Sequence, residues 1–325
     1  MTSPQLLQTE PGLAATGPAL AAEVAAGLMA TPPHVSPKFF YDALGSRLFD
    51  AITELPEYTP TRTEAAILAR HGGAIVDALL GLTGPAPTLF DLGAGSCAKA
   101  ARLFAALKPR RYVAIDISAD YLRVALAGLQ REHPHIEMLG LGLDFSTRLA
   151  LPPGLADGAP AVVFYPGSSI GNFARTDAMR LLREARAVAA GGALLIGVDL
   201  VKPVPVMEAA YDDELGVTAA FNLNLLSHVN RLLGSNFRPR DWQHVALFNA
   251  EESRIEMHLQ ARQALQVAWP GGQRAFAAGE RIHTENSVKW QPASFEALLR
   301  EAGFQRVRLW TDPQQGFGVF LAASA

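Results

Sequence analysis

The chain has 325 residues, 28 basic and 31 acidic, for a formal net charge of −3. That balance disfavours a nucleic-acid binder, which carries a basic excess or patch, and leaves a small-molecule substrate open. A single cysteine, Cys97, rules out an intrachain disulfide, and no Cys/His grouping has zinc-ligand spacing. Apolar stretches are broken by glycine, proline or charge before the ~20 residues a membrane span requires. The N-terminus lacks a basic segment followed by an apolar core. A cytoplasmic monomer with no membrane or nucleic-acid partner is the expectation.

Residues 1–17 are polar, turn-rich and expected to be loosely held. Residues 18–28 are alanine-rich with helical spacing, ended by Thr31-Pro-Pro. An aromatic-dense segment, 37–52, leads to Leu55-Pro-Glu-Tyr-Thr-Pro-Thr-Arg-Thr-Glu, where Thr61 and Glu64 have capping-box spacing and predict a helix to about Leu80. The stretch Thr88 to Ala100 then reads as a buried strand, a glycine turn and a helix. Gly93 and Gly95 remove side chains where backbone must approach a ligand, and the helix start offers free N–H groups. An acid-x-Gly-x-Gly turn headed by Asp91 is how Rossmann-like methyltransferases hold S-adenosylmethionine. A NAD-type fold wants a third glycine where Ala98 stands. Another nucleotide fold or a plain tight turn remains open on the turn alone.

Residues 111–117 give a second strand ending on Asp116, with Ser118 placed to cap a helix that buries Leu122, Leu126 and Leu129. A third strand, 136–143, ends at Asp144-Phe145, and a fourth, 161–165, runs into Pro166-Gly-Ser-Ser-Ile-Gly-Asn172. A helix from Thr176 is stopped by Gly191-Gly192 before a fifth strand, 193–198. This alternation predicts an α/β fold with a mostly parallel, doubly wound sheet. The rhythm breaks over 201–286. There a helix around 221–233 precedes strands, and Ile255, Met257 and Leu259 alternate with Arg254, Glu256, His258 and Gln260. Ser294 then reads as the cap of a helix to Ala302, and two strands close the chain. The expected organisation is an α/β domain from 61–200 and 287–325, with a second α+β lobe from 1–60 and 201–286 over its active face.

Ligands of open parallel sheets bind beyond the carboxyl ends of the strands. Asp116 suits the two hydroxyls of a ribose, or is a helix N-terminal acid. Asp144 suits an adenine amino group and Phe145 its ring, or the pair is a surface turn. Lys99 suits a ligand carboxylate, or is solvated. Asn172 suits an amino-acid head group, or caps the helix before Thr176. Tyr211-Asp212-Asp213 otherwise reads as a helix end, and Glu285-Asn-Ser287 as a polar hinge. Cys97 reads as small and buried rather than nucleophilic.

Eight motifs appear in order: Phe40-Tyr-Asp-Ala-Leu-Gly-Ser-Arg-Leu-Phe, Leu55-Pro-Glu-Tyr-Thr-Pro-Thr-Arg-Thr-Glu, Gly167-Ser-Ser-Ile-Gly-Asn, Asp199-Leu-Val-Lys, Ala210-Tyr-Asp-Asp, Gly216-Val-Thr-Ala-Ala-Phe-Asn, Arg254-Ile-Glu-Met and Trp310-Thr-Asp. From about Thr31 to the C-terminus they closely resemble the histidine Nα-methyltransferases of ergothioneine biosynthesis. The resemblance implies a class I methyltransferase fold and three methyl transfers from S-adenosylmethionine to the α-amino nitrogen of L-histidine. The products would be hercynine and S-adenosylhomocysteine, with no metal. It also implies a cofactor site of Gly93, Lys99, Asp116, Asp144 and Phe145. The implied histidine site is Tyr58, Asn172, Tyr211, Glu285 and Ser287, with Tyr58 and Asn172 catalytic and Tyr41, Phe49, Gly167 and Met257 close by. This chain departs from the family at Tyr58-Thr59, where two tyrosines are usual. It also has Gly-Ala-Gly-Ser-Cys for Gly-Ser-Gly-Thr-Ser, and Glu285-Asn-Ser for Glu-Val-Ser. A relative acting on another amino acid, such as a tryptophan derivative, is the nearest alternative, and Glu285 and Met257 favour histidine. A binding protein that has lost catalysis is disfavoured by the intact head-group and cofactor residues.

Overall fold

A computed structural model describes residues 4–7, 17–156 and 158–324. Apart from residues 4–7 and 17, the leader expected to be loosely held lies outside the described residues. In chain order the elements are β1 (Gln5–Leu7), α1 (Gly17–Met29), α2 (Ala43–Glu54), α3 (Pro60–Thr83), β2 (Thr88–Leu92), α4 (Ala98–Leu107), β3 (Arg111–Asp116), α5 (Ala119–Glu132) and β4 (Glu137–Gly142). There follow β5 (Val162–Tyr165), α6 (Arg175–Ala189), β6 (Ala193–Asp199), α7 (Val204–Ala209), α8 (Val217–Leu233), β7 (Trp242–Asn249) and β8 (Arg254–Ala261). The last are β9 (Leu265–Trp269), β10 (Gly272–Phe276), β11 (Arg281–Val288), α9 (Pro292–Glu301), β12 (Gln305–Thr311) and β13 (Phe317–Ala323). They form two compact units. One comprises Met1–Ala14, Pro60–Leu200 and Trp290–Ala325, the other Ala15–Thr59 and Val201–Lys289.

The first unit is built on an eight-stranded sheet of order β1-β4-β3-β2-β5-β6-β13-β12. Pairing is parallel from β1 to β6 and antiparallel where β13 and β12 close the edge. Every residue of β2, β5 and β6 is buried, which is why these segments read as apolar runs without alternation. The strand order reverses between β2 and β5, so the loops beyond them diverge and leave a crevice at the carboxyl ends. Gly191, at φ +90°, ends α6. Gly192 is required by space instead, since a Cβ there would stand 2.1 Å from the Ala161 carbonyl oxygen.

Four local expectations are corrected. Ser118 makes no side-chain cap bond; its backbone N–H is itself capped by Asp116 Oδ1 at 3.0 Å. Ser294 lies inside α9, which begins at Pro292 after Gln291. Glu64 does not close a capping box, because its carboxylate accepts from Gly167 N–H and Lys99 Nζ. By length and composition alone α3 is apolar enough to cross a membrane, contrary to the view that every such stretch is broken early. It packs on β13 and β6 with Ile67, Leu68, Ile75, Val76 and Leu79 buried, as a core helix does.

The second unit pairs the antiparallel sheet β11-β8-β7 and the hairpin β9–β10 with α1, α2 and α8. Strand β8 alternates half-buried and buried residues along its whole length, as its sequence predicts. Asp42 caps α2 by accepting from Gly45 N–H at 2.7 Å, and it also holds Asn224 and Arg231 of α8. Gly45 is needed there because a Cβ would collide with the Phe40 carbonyl oxygen at 1.7 Å. Asp213 caps α8, accepting from Val217 and Thr218 N–H at 2.9 and 2.8 Å. The Glu285-Asn-Ser287 segment is not a hinge: it lies within β11, so the unit extends to Lys289.

Gly192→Ala is expected to destabilise the fold by about 1–3 kcal/mol, since the colliding atoms are backbone and cannot rotate away. Gly73→Ala, at an exposed mid-helix position with nothing within 4 Å, should stabilise by about 0.5–1 kcal/mol. Denaturant titration of the two variants checks the pair.

Candidate active site

In the first unit, β2 delivers the chain into the turn of Gly93 and Gly95, at φ +69° and +49°. Side chains are disfavoured at both. The turn is strapped to β3: Gly93 and Ala94 N–H donate to the Ile115 carbonyl at 2.8 and 3.1 Å, and Gly95 N–H donates to Asp116 Oδ2 at 3.0 Å. The Phe145 ring lies 3.8 Å from where a Gly93 Cβ would be, and it stands edge-on to Tyr165 at 5.8 Å. Gly93, Asp116 and Phe145 are thus brought together. Asp144 folds back on its own turn, where Oδ1 accepts from the Ser146 N–H and hydroxyl. Burial raises the Asp116 carboxyl above its ordinary value, and hydrogen bonds from Ser118, Gly95 and Ile117 N–H partly offset this.

Beneath the turn, Asp91 is buried and accepts from the Tyr112 hydroxyl at 2.7 Å, while its Oδ1 has no hydrogen-bond partner among the described residues. Burial pushes the Asp91 carboxyl up to about 7, against the pull of Tyr112 and Lys99. Cys97 is fully buried and its thiol is pushed up to about 12 by that burial, so it is no nucleophile. Glu64, missed in the sequence, is also buried and holds Gly167 N–H at 2.8 Å and Lys99 Nζ at 2.9 Å. Asn172 ends a single turn of 3-10 helix after the Gly167 loop, and it is not the cap of α6, whose N-cap is Ala174. These parts fit an adenosine cofactor. The turn has no Cβ to block approach, an aromatic ring flanks it, and the Asp116 carboxylate stands against it at the end of β3.

In the second unit the aromatic residues form a chain of edge contacts. Ring centroids are 5.7 Å apart for Tyr41–Phe49, 6.1 Å for Phe49–Tyr58 and 6.3 Å for Tyr58–Tyr211. Phe221, within the Gly216-Val-Thr-Ala-Ala-Phe-Asn motif, packs on both Tyr41 and Phe49. Strand β11 carries a bulge between His283 and Glu285. Thr284 is the extra residue, its hydroxyl donating to the Met257 carbonyl at 3.0 Å. The bulge shifts the strand's phase, so Glu285 pairs with Met257 and Ser287 with Ile255, continuing the face begun by Ile282 and Leu259. Both Glu285 and Ser287 are buried. The Tyr211 hydroxyl donates to Ser287 Oγ at 2.6 Å, and buried Lys289 donates to both oxygens. Lys289 was the residue sequence reasoning missed here. Its signal was the spacing Glu-x-Ser-x-Lys, which extends the face by one more position.

The model of a family described as "Histidine-specific methyltransferase, SAM-dependent" matches residues 20–324. The chain is 43% identical to a histidine N-alpha-methyltransferase of Mycolicibacterium smegmatis, over 94% of each chain. It is 40% identical to a histidine N-alpha-methyltransferase of Mycobacterium tuberculosis, over 94% of this chain and 95% of that one. It is 30% identical to ergothioneine biosynthesis protein 1 of Schizosaccharomyces pombe, over 82% of this chain and 36% of that one.

The raised Asp91 carboxyl gives a pH signature. Its ordinary value is near 3.8 and its folded value about 7. Between these values the native chain keeps a proton that the unfolded chain releases, so stability falls as pH rises through the window and levels off above it. Asp91→Asn should remove that share of the decline when melting is followed from pH 5 to 8 without cofactor. An unchanged slope would place the titration elsewhere.

Proposed function

The chain belongs to the histidine-specific, S-adenosylmethionine-dependent methyltransferase family, and from that premise we infer that it converts L-histidine to its α-N-trimethyl betaine, hercynine. This would be the first step of an ergothioneine pathway. The observation that carries the histidine assignment is the placement of buried Glu285 and Ser287 on one face of β11. A carboxylate can take the imidazole N–H, and a hydroxyl can serve the other ring nitrogen. An apolar side chain would bring that buried acid no hydrogen bond in exchange for the water it displaces, which is costly.

The cofactor, when bound, supplies an already electrophilic methyl group. The protein's task is then alignment and exclusion of water. The Gly93–Gly95 turn would admit it closely, Asp116 would take the ribose hydroxyls, and Asp144 and Phe145 the adenine. Lys99, steadied by Glu64, would face the carboxylate of its amino-acid half. For the substrate, Asn172 and Tyr211 are assigned to the amino-acid head, and Glu285 and Ser287 to the imidazole. Tyr58 is assigned to the reacting nitrogen. Only an amine with a free lone pair can accept a methyl group, so an ammonium proton must leave before each transfer that starts from the protonated form. Tyr41, Phe49 and Met257 supply apolar lining.

Mass spectrometry of L-histidine incubated with the protein and S-adenosylmethionine should find mono-, di- and trimethylated α-amino products. Methyl groups on the ring would reverse the proposed orientation. Glu285→Ala should raise the histidine KM about ten- to a hundredfold, the worth of a hydrogen bond to a charged group at roughly 1.5–3 kcal/mol. Affinity for S-adenosylhomocysteine should hardly change, and tryptophan should become a relatively better substrate. An unaltered histidine-to-tryptophan ratio of kcat/KM would remove Glu285 from the specificity site.

A further inference from the structure

Lys289 is a lysine with only 2% of its surface exposed. A buried ammonium is expensive and persists only where it is well paired. Its backbone is fixed from both sides: Lys289 N–H donates to the Ser253 carbonyl at 2.7 Å, and its own carbonyl accepts from the Ser253 hydroxyl at 2.9 Å. The side chain lies over the Tyr211 ring, with Nζ 4.6 Å from the centroid. Nζ donates to Ser287 Oγ at 2.7 Å and to Tyr211 Oη at 3.0 Å.

We propose that Lys289 is the positioning residue that makes Ser287 a hydrogen-bond donor to the ligand, so that the site reads the lone pair of the imidazole. An ammonium has protons to give and no lone pair, so both hydroxyl oxygens must act as acceptors towards it. The two hydroxyls also bond to each other at 2.6 Å, a contact that consumes one of their two protons. One hydroxyl proton is therefore always left to point away from the triad. When a ligand offers acceptors, both protons can turn to it together, because Lys289 continues to satisfy both oxygens. Without the ammonium, Ser287 Oγ could instead accept from a ligand N–H, and the ring would no longer be required to carry a bare nitrogen. Glu285, an acceptor on the same face two residues earlier, completes a pair that specifies one N–H and one lone pair.

This inference rests on the histidine assignment above, and its test separates the two. Steady-state kinetics would compare histidine with an analogue bearing a pyrrole ring, which keeps the N–H and lacks the acceptor nitrogen. Wild type should prefer histidine by ten- to a hundredfold in kcat/KM, the cost of leaving a buried donor unsatisfied. Lys289→Met should cut that preference to a fewfold, chiefly through the histidine KM, with S-adenosylhomocysteine affinity within twofold of wild type. Ser287→Ala should do the same, and adding it to Lys289→Met should cost little more. Tyr211→Phe keeps the Lys289–Ser287 bond, so it should preserve the ring preference even if KM rises. That variant decides the matter should Lys289→Met fail to fold. The proposal falls if Lys289→Met keeps the wild-type preference, or if Tyr211→Phe loses it as fully as Ser287→Ala. A wild-type protein that methylates neither ring compound overturns the histidine assignment instead.

Discussion

In the first unit the arrangement of the ligand-facing loops depends on one buried carboxylate. Glu64 leaves α3 with 2% exposure and reaches two partners, the Gly167 N–H beyond β5 and Lys99 of α4. A charge so placed is tolerable only if all its partners are present, since an orphaned buried ion costs several kcal/mol. The same carboxylate explains the glycine in β6: a Cβ at Gly197 would lie 2.0 Å from Glu64 Oε1. Helix, loop and strand are therefore mutually conditional. The loop that carries Gly167 and Asn172 is held by a residue more than a hundred positions earlier in the chain.

The second unit depends on a change of phase. Strand β8 offers one uninterrupted apolar face of Ile255, Met257 and Leu259. A regular partner strand would present Ile282, Thr284 and Asn286 to it. The extra residue at Thr284 instead delivers Ile282, Glu285 and Ser287. The bulge leaves Thr284 and Glu285 both buried in succession, which breaks the alternation of a half-buried strand. The polar side chains on that face are stabilised by one another, with the Lys289 ammonium donating to two hydroxyls.

These two devices explain what was legible in the sequence. Where burial alone sets the pattern, the chain could be read: the parallel strands, the glycine turn, the Gly191-Gly192 stop and the alternation of β8 all follow from local composition. The rim of Gly93, Asp116 and Phe145 was legible because topology places strand ends together. What failed were the cap and hinge readings made from residue type and spacing alone. Ser118, Ser294 and the Thr61–Glu64 pair looked like helix caps, yet Asp116 and Glu64 serve other backbone and side-chain groups. Glu285-Asn-Ser287 looked like a hinge because polar residues rarely fill a buried strand, and here Tyr211 and Lys289 bond Ser287 while His283 bonds Asn286. Three residues at β1 were too few to signal a strand without β4 beside them.

The acidic residues show why residue type within a motif is a poor guide to chemistry. Burial would raise Asp213, but the Thr218 and Val217 groups at the start of α8 outweigh it and hold the carboxyl below its ordinary value. Asp42 is occupied by Gly45, Asn224 and Arg231, and Asp312 by the N–H groups of Phe317 and Gln314. All three sit in shared motifs, and all three use their lone pairs to fix the backbone. Asp91 has the opposite environment, with one hydroxyl donor, one oxygen without a partner among the described residues and a carboxyl raised to about 7. Asp116 also carries an N–H bond on each oxygen, yet burial outweighs these bonds and raises its carboxyl. The number of bonds therefore does not separate an architectural acid from a ligand-facing one; its place at the carboxyl ends of the parallel strands does. Asp116 ends β3 at the carboxyl edge of the parallel sheet and is strapped to the Gly93–Gly95 turn, and that place suits it to hold the hydroxyls of a nucleoside.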